Sequence, residues 1–273
     1  MAQLSMNEMT TYRWSFEEDV AHYAAAGIGG IGVWRQKLAD FGEDKGIELL
    51  AESGLEVSNL LWAGGFTGSD GRNLQESIHD GLDAIRLAAD LGAGCLVVYS
   101  GPRGGHTHNH VRRLVKEALS KLLRAAAEQQ VTLAIEPMHM GCAAEWTFLT
   151  TIEDALSLID GFRSPWLKLA FDTYHFGGQP GILEQLPALA ERIAVVHLGD
   201  CKSPPRLEQN RARLGDGTIP LKEIFATLSS AGYDGYYDVE LMGEEIESSD
   251  YRDLVEQSKN AFAQLIDCQT ARS

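Results

Sequence analysis

Four short apolar runs in this chain each end on a side chain of a type that binds metal ions. The runs VTLAI, WLKLAF, IAVV and YYDV are followed by Glu136, Asp172, His197 and Glu240. Three carboxylates and one imidazole, each closing a predicted strand, suit one divalent cation better than any other common use. The successive spacings of 36, 25 and 43 residues are near the length of one strand-plus-helix unit or a little more. This rhythm predicts four ligands from consecutive units of a barrel, all on the same face.

Each of these residues also has a purely structural interpretation. Glu136 precedes Pro137 and so could end a strand in an extended, solvated turn. Asp172 could form an Asx turn or cap a helix, and His197 could be a core histidine with satisfied hydrogen bonds. Glu240 lies near several other acidic residues and could belong to a solvated surface. The coincidence at four successive strand ends favours the metal site.

The elements that must position these residues follow an alternating pattern. Runs rich in Val, Ile and Leu predict eight strands, at residues 3–6, 29–33, 56–60, 95–99, 131–135, 167–171, 193–197 and 235–239. Stretches of helical period predict helices at 15–26, 43–53, 74–91, 111–129, 151–159, 221–230 and 251–266, with another at 181–190 that Pro187 interrupts. No linker or compositional break divides the chain. The sequence therefore predicts an α/β fold, a single (β/α)₈ TIM barrel domain over residues 1–273.

Composition narrows the classes of partner. The net charge of −16 argues mildly against binding to nucleic acid or to an anionic membrane. No apolar run approaches the roughly 20 residues of a membrane span, and the first residues lack the basic and apolar regions of a signal peptide. The four scattered cysteines contain no C-x-x-C pair, as is typical of free thiols in a reducing compartment. We therefore expect a cytoplasmic protein with no nucleic-acid or membrane partner.

The segments IEPMH, FDTYH, VVHLGD, RLGDG and DVEL resemble, in order and spacing, those of the xylose-isomerase-like barrel superfamily. That superfamily includes sugar isomerases, ketose 3-epimerases, inosose dehydratases and AP endonucleases. The resemblance extends over roughly the whole chain and is strongest over residues 131–241. It implies that the four strand-ending residues bind one divalent ion, with Mn²⁺ preferred and Mg²⁺, Co²⁺ or Zn²⁺ as alternatives. It also implies a homo-oligomer.

The resemblance further implies that Glu136 and Glu240 act as acid and base on either side of the substrate. The chemistry is consistent with this role: a metal ion polarises a carbonyl and hydroxyl pair, and a carboxylate removes the proton from the acidified C–H. In the epimerases, a histidine three residues after the aspartate and an arginine before a G-x-G turn contact substrate oxygens. Here those residues are His175 and Arg213.

Other residues are candidates on weaker grounds. Trp34 and Trp62 each follow a predicted strand, so they could wall the pocket as sugar-stacking platforms, although packing at the rim is about equally plausible. The segment GGHTHNH holds His106, His108 and His110. It resembles a second metal site but contains no carboxylate, and alternating histidines in a loop are more often solvated or face the substrate. We assign it no role.

Four functions fit the sequence to different degrees. The first is a metal-dependent isomerase or epimerase acting on a sugar, ketose or keto-sugar, and the absence of a Lys or Arg cluster at the predicted site favours an unphosphorylated substrate. The second is a dehydratase or lyase that eliminates from a keto-inositol or a 3-keto-glycoside at the same site. An AP endonuclease would need an Asp-x-His pair before the G-x-G turn, where this chain has Gln209, Asn210 and Arg211. A non-catalytic subunit would predict loss of the metal ligands, and all four are present.

Overall fold

The strands of the computed structural model build a closed parallel barrel. The structure describes residues 2–68, 70–207 and 209–270. The strands are β1 Gln3–Asn7, β2 Gly30–Trp34, β3 Glu56–Gly64, β4 Leu96–Tyr99, β5 Leu133–Ile135, β6 Leu167–Asp172, β7 Ile193–Leu198, β8 Asp200–Cys201, β9 Arg211–Ala212 and β10 Tyr236–Val239. The barrel order is β1-β10-β7-β6-β5-β4-β3-β2, and β1 closes it by pairing with both β10 and β2. The predicted (β/α)₈ fold and its eight strands are confirmed, whereas the antiparallel ribbon of β8 and β9 was not predicted.

Helices surround this barrel and connect its strands. They are α1 Phe16–Ala25, α2 Arg35–Phe41, α3 Glu43–Ser53, α4 Leu74–Asp90, α5 His108–Gln129, α6 Ile152–Asp160, α7 Thr173–Phe176, α8 Ile182–Leu189, α9 Leu221–Ser230, α10 Glu244–Glu247 and α11 Tyr251–Thr270. Helix α2 and the one-turn helices α7 and α10 were not predicted from the sequence. The predicted interruption at Pro187 is wrong, because α8 runs through that residue. A proline removes only one hydrogen bond from a helix that ends two residues later.

Side-chain caps set the first residues of several helices. Ser15 with Glu18, and Asn73 with Glu76, form capping boxes at the starts of α1 and α4. The Thr107 side chain caps α5 by accepting a hydrogen bond from a backbone N–H of the first turn. This cap starts α5 three residues before the predicted helix.

The strands separate two apolar layers because their side chains alternate. On β4, Leu96 and Val98 belong to a large cluster shared with the helices, which is the layer outside the barrel. Val97 and Tyr99 belong to a smaller cluster with residues of β3, β5, β6 and β7, which fills the barrel interior. The smaller cluster extends to the carboxyl ends of the strands.

A polar group around Asp238 fills another part of the barrel interior. The fully buried Asp238 carboxylate accepts hydrogen bonds from Ser5 Oγ at 2.6 Å, Asn7 Nδ2 at 2.7 Å and Asn59 Nδ2 at 2.8 Å. Burial raises the pKa of Asp238. These three donors satisfy a carboxylate that would otherwise be expensive to bury.

Two further features bear on the expectations from composition. Cys95 and Cys201 are buried free thiols, Cys142 is also buried, and the side chain of Cys268 lies outside the described residues. Among the helices described, none combines the length and apolar character that crossing a membrane requires.

Candidate metal centre

The four predicted ligands lie at the carboxyl ends of four barrel strands that neighbour one another. Glu136 directly follows β5, and its N–H donates to a β4 carbonyl at 3.2 Å. Asp172 is the last residue of β6 and is in register with His197 of β7. Glu240 directly follows β10, and its N–H donates to a β7 carbonyl at 3.1 Å. The ladder of parallel strands therefore delivers all four side chains to one face of the barrel.

The side chains converge closely enough to surround a single ion. One potential ligand atom from each of Glu136, Asp172, His197 and Glu240 lies within 4.8 Å of the others, and all four residues are buried. His197 Nδ1 is 3.1 Å from Glu136 Oε1 and 3.3 Å from Glu240 Oε2. Among the described residues this is the one group of three or more such side chains with that geometry.

Arg211, which was not predicted to belong to this site, contacts two of the four predicted ligands. Its Nη2 lies 2.8 Å from Asp172 Oδ2 and 3.3 Å from Glu240 Oε2. Its Nη1 donates to the main-chain oxygen of Glu240 at 2.9 Å, and its guanidinium lies over the ring of Tyr174. Arg211 is buried and comes from β9, the ribbon that the sequence did not predict.

The charges and the unpartnered atoms of this cluster fit a divalent cation. Three buried carboxylates face one guanidinium, so two negative charges have no permanent partner. Glu136 Oε2 and His197 Nε2 are buried and have no hydrogen-bond partner among the described residues, and burying such atoms is expensive unless something binds them. An oxygen-dominated set favours a hard cation, and the imidazole also permits Co²⁺ or Zn²⁺. The donor set therefore matches the ion that the sequence implied.

Burial and the carboxylate charges also shift the pKa values of His197 and Glu240. Burial alone would lower the pKa of His197, but the charges of Glu136 and Glu240 outweigh it and raise that pKa to about 10. Burial raises the pKa of Glu240 to about 7, against the opposing charges of Arg211 and His197. Without a metal ion, the imidazolium supplies positive charge that a bound cation would replace.

His175 lies beside the ligands on the one-turn helix α7. Asp172 starts this helix by accepting the N–H of Tyr174 at 2.7 Å, so the predicted capping role and the ligand position belong to the same residue. The buried His175 Nε2 is 3.7 Å from Asp172 Oδ2, and within the described part of the chain neither ring nitrogen has a hydrogen-bond partner. Burial and the charge of Arg211 hold the pKa of His175 well below its usual value, so the ring is neutral.

Aromatic side chains adjoin the ligands on the side of β2 to β5. Trp34 and Trp62 stack with centroids 6.3 Å apart, and Trp62 meets Tyr99 and Trp146 edge-on at 5.7 and 5.2 Å. Burial and the charge of Glu136 raise the pKa of Tyr99, whose hydroxyl interacts with that carboxylate. Tyr99 and Trp146 were not singled out from the sequence, although Tyr99 ends a predicted strand just as Trp34 follows one.

Arg213 and the histidines of the segment GGHTHNH are the remaining candidate residues. Within the described part of the chain, no hydrogen bond or ion pair joins the half-buried Arg213 side chain to the four ligands. His106 is exposed, while His108 and His110 lie in the first turn of α5, so their assignment to a loop is wrong. The cap at Thr107 explains this difference. The His110 ring contacts Arg113 at 3.0 Å, and its centroid is 4.8 Å from that of His106.

Comparison with known proteins gives one family model and several curated relatives. Residues 20–265 match the family model described as xylose isomerase-like TIM barrel. L-ribulose-5-phosphate 3-epimerase UlaE of Escherichia coli O1:K1 is 29% identical over 171 residues, which are 60% of this chain and 55% of that protein. The chain thus spans about half the length of the curated relatives it matches.

Solved structures share the fold along nearly the whole chain. Protein SMc04130 from Sinorhizobium meliloti 1021 superposes with a TM-score of 0.89 at 28% identity, covering 96% of this chain and 98% of that one. A zinc-bound IolI protein superposes with a TM-score of 0.84 at 19% identity, covering 98% of this chain and 99% of that one.

Proposed function

This chain belongs to the xylose isomerase-like TIM barrel family, and on that premise we propose that it is a divalent-metal-dependent isomerase or epimerase of small sugars. The substrate is a ketose or keto-sugar, and the reaction moves a proton on a carbon next to the carbonyl. Mn²⁺ is the ion we expect, with Mg²⁺, Co²⁺ and Zn²⁺ as alternatives. Assembly as a homo-oligomer and a cytoplasmic location stay predictions from the sequence.

The observation that carries this proposal is the buried cluster of three carboxylates and one imidazole within 4.8 Å. Three buried carboxylates share a single permanent cation, Arg211, and without a metal ion they draw a proton onto His197 to offset the remaining charge. When bound, a divalent ion would polarise a substrate carbonyl and make the adjacent C–H acidic. The cluster therefore supplies both a place for the ion and carboxylates beside it.

The protein side chains transfer the proton, bind the substrate and hold the carboxylates in position. Glu136 and Glu240 take the roles of proton acceptor and proton donor, and Glu136 Oε2 is free of other hydrogen bonds. The neutral His175 has two unpartnered ring nitrogens, so it can donate to a substrate oxygen. Arg211 is a positioning residue, because its guanidinium is already held by Asp172 and the Glu240 carbonyl.

Epimerisation is favoured over other outcomes by the relatives. UlaE is named as a 3-epimerase of a ketose phosphate, and its reaction inverts a carbon next to a carbonyl. Returning the proton to the opposite face of the same carbon gives an epimer, and two glutamates on separate strands are suited to opposite faces. Because the matched region is about half of UlaE, its substrate is not transferred to this chain.

Solvent-deuterium exchange tests the proposed proton transfer. Unphosphorylated and phosphorylated ketoses are incubated with the protein and Mn²⁺ in D₂O, and the C–H next to the carbonyl is followed by NMR. We expect exchange with at least one substrate, lowered roughly 100- to 10,000-fold in Glu136→Gln and in Glu240→Gln. Glu244→Gln, an exposed neighbour on α10, is the matched control and should keep full activity.

The outcomes of this experiment separate the candidate reactions. No exchange across the whole panel, or full activity in either glutamine variant, would refute the proposed roles. A product that keeps the mass of its substrate indicates isomerisation or epimerisation, whereas loss of water or of an alcohol indicates the elimination reaction.

A further inference from the structure

Arg211 reaches the predicted metal ligands from a ribbon that is too short to hold itself in place. Residues 200–201 of β8 pair with residues 211–212 of β9, and Arg211 lies opposite Cys201. Isolated two-stranded ribbons are marginally stable even when they are longer. The position of the Arg211 guanidinium therefore depends on groups outside this ribbon.

The carboxylate of Asp200, the first residue of β8, binds the turn that follows β9. Its Oδ2 accepts the N–H groups of Gly215 and Gly217, both at 3.0 Å. Its Oδ1 accepts the N–H of Cys201 at 2.8 Å and that of Ile219 at 3.2 Å. Four main-chain donors thus converge on one buried carboxylate. Hydrogen bonds to an ionised acceptor are roughly twice as strong as neutral ones, so these contacts fix the ribbon and its turn together.

The two glycines of this turn allow the close contact. A Cβ at Gly217 would lie 2.0 Å from Asp200 Oδ1 and 2.5 Å from the main-chain oxygen of Cys201. Gly215 has a φ of 88°, in the left-handed region that glycine adopts readily. The contact with Asp200 therefore explains the G-x-G pattern at residues 215–217 by space and by backbone conformation.

The segment that carries Asp200 also leaves room for the Arg211 guanidinium. His197, one of the predicted ligands, is separated from Asp200 by Leu198 and Gly199. A Cβ at Gly199 would lie 2.9 Å from Arg211 Nη1, so the guanidinium packs directly against this backbone. Four consecutive residues therefore supply a predicted ligand, the space for the guanidinium and the carboxylate that fixes the ribbon.

We propose that Asp200 is a positioning residue for the metal centre and acts on the predicted ligands through Arg211. The Asp200 carboxylate fixes the turn after β9, and the fixed turn holds Arg211 at its place in the ribbon. The guanidinium then orients Asp172 and Glu240. This inference rests on the proposed function, since it concerns two of the same ligands. It predicts that a change at Asp200 alters metal affinity only while Arg211 is present.

Asp200→Asn turns this carboxylate into an amide of nearly the same shape. An amide has one acceptor oxygen and one NH₂ donor group, so in either orientation two of the four main-chain donors lose their acceptor. We expect Mn²⁺ affinity to fall about 10- to 100-fold by calorimetric titration, the range for groups that orient metal ligands. Asp216→Asn is the matched control, because Asp216 is an exposed carboxylate in the same turn, and it should bind Mn²⁺ as the wild type does.

Gly217→Ala tests the same contact from the other side, because its Cβ would displace the Asp200 carboxylate. It should weaken Mn²⁺ binding as well, whereas Gly178→Ala, where an added Cβ meets nothing within 4 Å, should not. Both Asp200→Asn and Gly217→Ala are used because either could disturb folding, which circular dichroism checks. Wild-type affinity in either folded variant overturns the inference.

A double variant separates action through Arg211 from a general loss of structure. If Asp200 acts through the guanidinium, adding Asp200→Asn to Arg211→Lys should weaken Mn²⁺ binding much less than Asp200→Asn does alone, because residues that act as a unit are not additive. A double variant whose loss of affinity equals the product of the two single losses contradicts the positioning role.

NMR of the metal-free protein gives a readout that needs neither the ion nor turnover. Labelling with ¹⁵N-arginine reports the Arg211 Nε–H signal, which is assigned by its loss in Arg211→Lys. Because Arg211 is buried, we expect slow exchange of this proton with solvent in the wild type and in Asp216→Asn. Exchange should be about tenfold faster or more in Asp200→Asn. Unchanged exchange in a less stable Asp200→Asn protein assigns Asp200 to folding alone and overturns the inference.

These results are distinguishable from failure of the proposed function. Faster Arg211 exchange in Asp200→Asn, together with no Mn²⁺ binding by the wild type, refutes the metal centre and keeps the link between Asp200 and Arg211. Mn²⁺ binding by the wild type with equal affinity in Asp200→Asn keeps the metal centre and refutes the positioning role.

Discussion

Arg211 lies beside the centre, where its guanidinium contacts two of the four predicted ligands. It lies 2.8 Å from Asp172 and 3.3 Å from Glu240, and both carboxylates are buried. A planar guanidinium presents its donors in a fixed arrangement, whereas an ammonium acts as a point charge. Arg211 therefore fixes the orientation of these carboxylates as well as their charge.

Replacing Arg211 by Lys should weaken metal binding while the positive charge is retained. Loss of groups that orient metal ligands typically lowers affinity about 10- to 100-fold, and we expect Arg211→Lys to fall in this range for Mn²⁺, measured by calorimetric titration. Arg213→Lys is the control and should bind Mn²⁺ as the wild type does. Equal affinities for the two variants would show that Arg211 does not orient the ligands.

The choice between these two arginines shows the limit of the sequence at this scale. Both belong to the segment RARLGDG, and alternate residues of an extended strand point the same way. Arg213 was predicted to contact the substrate, and that stays a prediction, whereas Arg211 was assigned no role and its guanidinium contacts two of the predicted ligands. The deciding feature is the two-residue pairing of β8 with β9, which depends on contacts too distant in sequence to be seen in a local pattern.

Among the elements, β2 must pass very close to β10 inside the barrel. A Cβ built at Gly32 would lie 2.4 Å from Asp238 Oδ2 and 3.0 Å from Asn7 Nδ2. Glycine is therefore required at this position by space, and the hydrogen-bonded group around Asp238 depends on it.

Gly32→Ala should consequently destabilise the protein. Overpacking of a tight interior typically costs about 1–3 kcal/mol, and we expect a loss of this size in the free energy of unfolding, measured with urea. Gly29→Ala is the matched control just before the same strand, where a Cβ would meet its nearest atom at 3.8 Å. If both variants unfold at the same urea concentration, a Cβ at position 32 does not lower the free energy of unfolding, and the predicted clash with Asp238 is contradicted.

Helix α4 is tied to the rim by Asp80, which binds Arg35 and Arg72. Partial burial would raise the pKa of Asp80, but the hydrogen bonds and charges of the two arginines lower it below the usual 3.8. A carboxylate with a lowered pKa in the folded state stabilises the protein above its unfolded-state pKa. That stabilisation is lost as the pH falls through the lower folded-state value.

Asp80→Asn should therefore lower stability by about 1 kcal/mol at neutral pH, as for a partly exposed ion pair. The difference from the wild type should stay constant above about pH 4 and shrink below it, as shown by urea unfolding at several pH values. Asp83→Asn, on the exposed face of the same helix near Arg86, should change stability less. A difference that persists unchanged at pH 2 would contradict the ion-pair explanation.

The barrel strands were predicted more accurately from the sequence than the starts of the helices. Most barrel strands were predictable because they are runs of β-branched and apolar residues between turn residues. Helix α2 was missed because it begins directly after Trp34 without a side-chain cap, so its sequence carries no start signal. Helix α5 was predicted to start too late because the cap at Thr107 lies among histidines that resemble a loop.

At the scale of the whole molecule, the mouth of the barrel has two chemically different halves. Neighbouring strands β5, β6, β7 and β10 contribute the predicted metal ligands, and β2, β3 and β4 contribute aromatic rings. The ligand half could be predicted because strand ends of known spacing converge in a barrel. The extent of the aromatic half could not, because it requires knowing which rings touch, and Trp146 reaches it from a loop.

Metal binding should stabilise the whole barrel, because the four ligands join four strands. A ligand that binds only the folded state at about 100 times its dissociation constant adds about 2.7 kcal/mol. For a chain of this size that corresponds to a rise in Tm of about 5–10 °C. We expect such a rise with Mn²⁺ by differential scanning calorimetry and none in Asp172→Asn. An equal rise in this variant would place the ion elsewhere.

The measurement that tests the central claim most directly is the stoichiometry of metal binding. After chelation, the protein is titrated with Mn²⁺ calorimetrically, and bound metal is counted by elemental analysis. We predict one ion per chain in the wild type and none retained in His197→Leu or Asp172→Asn. Three ions per chain, no binding in the wild type, or undiminished binding in both variants would contradict a single-ion centre at these four strand ends.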